Sequence, residues 1–86
     1  MRTVHTAEVV HSLLAEVGKE LFKAEAKHAP MNSAHEGYSV IREEMDELWD
    51  EVKQDTGGTP NARKEAIQIA AMAVRYVLDV CGRVEQ

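Results

Sequence analysis

The chain has 86 residues, 44% hydrophobic and only 5% aromatic, with a net charge of −5 and an isoelectric point near 5.3. That length fits one domain spanning 1–86, and burial of roughly 60% of the unfolded surface leaves a lone unit of this size marginal. The acid excess lacks the basic footprint of a nucleic-acid-polymer binder, and one cysteine, Cys81, excludes an internal disulfide and a cysteine-built metal site.

The first residues lead straight into an amphipathic pattern with no apolar leader-like run. Helix one is expected over 6–27. Val9, Val10, Leu13, Leu14, Val17, Leu21 and Ala24 recur at three- and four-residue steps and form one broad apolar face. Gly18 falls opposite that face and costs about 1 kcal/mol relative to Ala, marking a place where the helix is expected to loosen or bend. The first loop, "HAPMNS" (28–33), contains Pro30.

Helix two is expected over 34–54. Ser33 with Glu36 three residues on is a capping-box pattern. Ile41, Met45, Leu48 and Val52 form its core stripe, with Tyr38 and Trp49 at one edge. The second loop, "DTGGTPN" (55–61), holds the other proline and the only adjacent glycines.

Helix three is expected over 61–82, with Pro60 tolerated in its first turn. Its main stripe is Ile69, Met72, Ala73, Tyr76 and Val80. Ala66, Ala70, Val74, Val77 and Leu78 extend the apolar surface over most of its circumference. Such a helix is buried on more than one side. The expected fold is therefore all-α: a three-helix subunit in an antiparallel bundle, completed by homo-oligomerisation as a homodimer or homotetramer. Cys81 reads as a small filler on this last helix. The most apolar tract, 66–80, is broken by Gln68, Arg75 and Asp79 and is too short to span a bilayer. No membrane partner and a cytoplasmic location are expected.

Six acids fall within residues 42–51. At about 100° per residue, Glu44, Glu47 and Glu51 form a second stripe beside the core stripe, while Glu43, Asp46 and Asp50 point further out. Glu65 and Gln68 are an i, i+3 pair that faces Glu44 and Glu47 if helices two and three form an antiparallel hairpin. Two readings remain open on spacing alone. One is a solvated acidic face; the other is a set of hard oxygen ligands for Mg²⁺ or Mn²⁺.

"EEMDE" (43–47), with "KEAIQIAAMAVRYVLDV" one loop later, resembles the E-E-x-x-E motif and following helix of the MazG-like all-α nucleoside triphosphate pyrophosphohydrolases. The resemblance covers about residues 33 to 80. It implies an enzyme that splits a nucleoside triphosphate (NTP or dNTP) into a monophosphate and pyrophosphate, with Mg²⁺ as cofactor. Carried over by position, Glu44, Glu47 and Glu65 hold metal, and Glu43 helps position it or activates water. Gln68 stands where the family has Asp; its amide oxygen can ligate but brings no charge. Glu51 is the more plausible replacement acid, and Asp79 lies too far along.

Lys23, Arg63, Lys64 and Arg75 are the candidate phosphate-binding residues, with Lys19 and Lys27 on the same flank of helix one. Asn32, His35 and Trp49, with Tyr38, are the candidates for the nucleobase. Each has an ordinary alternative as a surface charge or an edge-packing residue. Two rival classes stand beside the enzyme. A carboxylate-bridged iron or manganese bundle wants an E-x-x-H on each of two paired helices, and the acidic helix two and helix three carry none. A non-catalytic helical oligomer, or a degenerate MazG-like module binding a nucleotide or protein, is favoured by Gln68.

Overall fold

The computed structural model describes residues 4–54 and 57–82, and among these every regular element is helical. Asp55 and Thr56 of the second loop lie outside the described residues. Three helices follow in order: α1 (Ala7–Lys27), α2 (Ala34–Val52) and α3 (Pro60–Tyr76). A π-helical turn, Val77–Cys81, continues α3.

Each helix starts on a hydroxyl cap. Thr6, Ser33 and Thr59 accept from the amides of Val9, Glu36 and Ala62 at 3.3, 3.1 and 3.2 Å, satisfying an N–H that has no partner within the helix. The Glu36 carboxylate reaches back to the Asn32 amide at 3.3 Å, one residue before the position a capping box uses. α1 ends with the His28 amide bonded to the Ala24 carbonyl, just before Ala29-Pro30 bars further helix. It runs unbroken through Gly18.

α3 is the central element and packs against both α1 and α2. Its bonds to α1 and the loop after it keep a constant offset: Glu16 with Arg63, Glu20 with Gln68, Ala29 with Arg75. A constant offset means parallel helices. Gly37 beside Tyr76, and Glu44 and Glu47 beside Glu65, run in opposite senses, so α2 is antiparallel to α3. The topology is up-down-up.

Val17, Leu21, Ala71 and Met72 make the buried core, with Ala24, Val40, Ile41, Ile67 and Ala70 packed on it. Ala71, absent from the expected stripe, is fully buried because α3 is contacted on two sides. Met31 of the first loop is also fully buried. Gly37 lets α2 approach this point closely: a Cβ there would stand 2.5 Å from the Tyr76 ring.

Much of the expected apolar stripe stays exposed. Leu14 and Trp49 are each 58% exposed, and Val9, Met45, Val77 and Leu78 are similarly open. The radius of gyration is 14.4 Å, against about 12 Å for a compact chain of this length. Cys81 is exposed rather than a filler. Among the described residues, no helix is long and apolar enough to cross a membrane.

The π-helical turn was not foreshadowed by the pattern. The Gly82 amide bonds the Val77 carbonyl, five residues back. Within the turn, Asp79 pairs with Arg75 at 3.4 Å and accepts the Met31 amide at 2.9 Å. The C-terminal end of the helix is thereby tied to the first loop.

Candidate metal centre and its cleft

Glu44 and Glu47 stand one turn apart on α2, and Glu65 meets them from the first half of α3. One carboxylate oxygen from each lies within 4.8 Å of the others. Glu44 and Glu65 are half-buried and Glu47 is exposed. Among the described residues no ion pair reaches any of the three. Glu65 Oε2 is shielded from solvent and has no hydrogen-bond partner.

Like charges this close, partly out of water, favour the protonated forms. Burial and then the neighbouring charges of Glu47 and Glu65 push the Glu44 carboxyl up to about 7. Burial and then the nearby Glu47 raise Glu65 as well, against smaller pulls from Glu44 and Lys64. The group titrates together rather than residue by residue. Three hard oxygen donors and an orphaned buried oxygen, with no cation among the described residues paired to them, could hold Mg²⁺ or Mn²⁺.

Glu44 also lines a cleft of about 700 Å³ between the helices. α1 contributes Glu20, Lys23 and Lys27 to its wall, and α3 contributes Lys64, Gln68 and Arg75. Glu43 lies at the same wall as Glu44, and Asn32 and Glu36 close the end near the start of α2. The cleft thus joins a carboxylate group to several cationic side chains.

The candidate residues divide on this geometry. Glu43, Glu44, Gln68, Lys23, Lys64, Arg75 and Asn32 share the cleft, whereas Glu47, Glu65, Arg63, His35 and Trp49 do not line it. Arg63 is held by Glu16 through two bonds of 2.9 and 2.6 Å, beside a separate groove. Hydrogen bonding to Arg63 holds the Glu16 carboxyl below its usual range. Tyr38 lines a shallow surface hollow with Arg42 and Asp46. Lys19 lies along the Arg63 groove, while Lys27 lines the cleft. Arg75 is 5% exposed and committed: it donates to the Ala29 carbonyl at 2.7 Å and pairs with Asp79. Gln68 is not turned into the triad through its amide nitrogen, which donates to Glu20 instead. Glu51 lies outside the triad.

Glu20 was missed by sequence reasoning. Its signal was weak: it falls on the same side of α1 as Lys23 and Lys27, but only the packing of α1 on α3 brings it to the cleft. Set against known proteins, the chain matches no family model, no curated protein and no solved structure.

Proposed function

We propose that the chain is a Mg²⁺-dependent nucleoside triphosphate pyrophosphohydrolase of the MazG-like all-α kind, acting on the cytoplasmic nucleotide pool. The observation that carries this reading is the triad Glu44, Glu47 and Glu65, with its orphaned buried oxygen, one member of which, Glu44, lines a lysine-flanked cleft. A carboxylate group without a counter-ion beside a cationic cleft suits a metal bridged to a phosphate chain.

Glu44, Glu47 and Glu65 would hold the metal, whether Mg²⁺ or Mn²⁺. When bound, Mg²⁺ supplies Lewis acidity to the phosphate chain and to the attacking water. Glu43, exposed at the cleft wall, accepts the proton of a water that attacks the α-phosphorus. The bond to the β-phosphate bridging oxygen breaks, and nucleoside monophosphate and pyrophosphate leave. Lys23, Lys27 and Lys64 neutralise the triphosphate and hold it in line. Asn32, at the far end of the cleft, is the polar group best placed for the base.

The reading includes a homo-oligomer, a dimer or tetramer. Its support is the exposed apolar surface on α1, α2 and the end of α3, together with the open shape of the three-helix subunit. The rival reading, a non-catalytic module, draws on Gln68 being engaged by Glu20.

The test is a panel of ribo- and deoxyribonucleoside triphosphates with Mg²⁺ or Mn²⁺, assayed for monophosphate and pyrophosphate. Metal-dependent release is expected, falling about 1,000-fold or more in Glu44→Ala. Full activity in that folded variant would sink the proposal, and silence across the panel would favour the module.

A further inference from the structure

Gln68 follows Glu65 by one turn of α3 and lines the same cleft as Glu44. An amide there has an oxygen to offer but no charge. Its nitrogen is already spoken for: Nε2 donates to Glu20 Oε2 at 2.6 Å, from a residue 48 positions away on α1. That separation is at the short end for N–H···O bonds, as expected for a charged acceptor.

The bond fixes which way the amide faces. Reversing it would set two oxygens 2.6 Å apart, so Oε1 is turned away from Glu20. The Glu20 side chain is 26% exposed, and its other oxygen has only a 3.4 Å contact from the exposed Lys23. Glu20 and Gln68 line the same cleft as Glu44.

We propose that Glu20 is a positioning residue for the divalent-cation centre: it aims Gln68 Oε1 as a ligand and lends that neutral amide the negative charge it lacks. The inference rests on the reading that Glu44, Glu47 and Glu65 bind a cation. A carboxylate accepting from an amide N–H shifts electron density toward the amide oxygen and strengthens it as a donor. Carboxylates behind metal-bound histidines act in the same way. The centre then draws on all three helices, and α1 contributes charge without touching the metal.

Mn²⁺ binding to the full chain, followed by electron paramagnetic resonance, tests this together with the melting temperature of the metal-free protein. Glu20→Gln keeps an acceptor for Gln68 Nε2 and removes only the charge. It is expected to weaken Mn²⁺ binding about tenfold while moving the metal-free melting temperature by no more than about 3 °C. Gln68→Asp supplies the charge directly, so in that background Glu20→Gln is expected to cost less than about twofold.

Wild-type Mn²⁺ affinity in Glu20→Gln, with only a lower melting temperature in Glu20→Ala, would make the pair a clip between helices and overturn the inference. Equal losses from Glu20→Gln in the wild-type and Gln68→Asp backgrounds would overturn it too. Glu44→Gln separates the two readings. If it abolishes Mn²⁺ binding while Glu20→Gln changes nothing, the positioning role alone falls. If it leaves Mn²⁺ affinity untouched, the metal centre falls with it.

Discussion

α3 carries half-buried or buried charge at both ends, and the two ends treat it in opposite ways. At its C-terminal end Arg75 and Asp79 are both shielded, paired at 3.4 Å, and bonded onward to the Ala29 carbonyl and the Met31 amide. At its N-terminal end Glu65 meets Glu44 and Glu47 with no cation near enough to pair and one oxygen without a partner. Compensated charge of the first kind orders a loop. Uncompensated charge of the second kind costs stability unless something outside the chain completes it.

The sharpest way to probe the contrast is to remove one charge from each end. Asp79→Ala strands a buried guanidinium and frees the Met31 amide. Chemical denaturation is expected to show a loss of about 3–5 kcal/mol. A loss below 1 kcal/mol would mean the clamp is dispensable, with about 1 kcal/mol being the middle of ordinary substitutions. Close by, Gly37→Ala drives a methyl into the Tyr76 ring. It is expected to cost about 1–3 kcal/mol by the same measurement.

The acidic end is expected to answer with the other sign. Glu44→Gln removes a repelled charge and should stabilise the metal-free protein at pH 8 by about 1 kcal/mol, small because water and salt screen a half-buried group. The pH dependence follows from the same shift. Glu44 loses its proton near 7 in the fold but near the ordinary 4.5 when unfolded, so between those values the folded state holds more protons. Its contribution is full below about 4.5 and drains away as pH rises through 7. Melting curves of the metal-free protein should therefore fall across that window. Mg²⁺ should flatten the fall, as should Glu44→Gln. A rising curve over the same range in the metal-free wild type would contradict the electrostatics of the triad.

A smaller effect on the fold of each subunit is expected at the exposed apolar surface. Leu14→Glu, made where the side chain is 58% exposed, should change subunit stability little. In light scattering it should shift an oligomer toward monomer. An unchanged mass would place the interface elsewhere.

What the sequence disclosed depended on how local the physics was. The three caps at Thr6, Ser33 and Thr59 rest on side chains bonding amides three residues away, and the Ser33 cap stands where the pattern placed it. The Glu44, Glu47 and Glu65 group followed from helical phase plus a short connection, since those two facts nearly determine how α2 meets α3. Glu20 was hidden because its contact depends on how α1 is rotated on α3, which the apolar stripe of α1 leaves too broad to specify. Arg75 looked like a phosphate ligand at a core edge. It is instead buried and bonded to the Ala29 carbonyl of the first loop and to Asp79, and the loop contact depends on packing between segments 46 residues apart. Met45, Trp49 and Leu14 were expected in apolar stripes or at their edges, and they are exposed because burial depends on what stands opposite.

The most direct test of the central claim is a crystal structure grown with Mn²⁺ and a non-hydrolysable triphosphate analogue, with anomalous scattering used to locate the metal. The expected result is Mn²⁺ about 2.2 Å from oxygens of Glu44, Glu47 and Glu65, with the phosphate chain running toward Lys23 and Lys64. A saturated crystal in which the three carboxylates share protons with one another and no metal lies between them would contradict it.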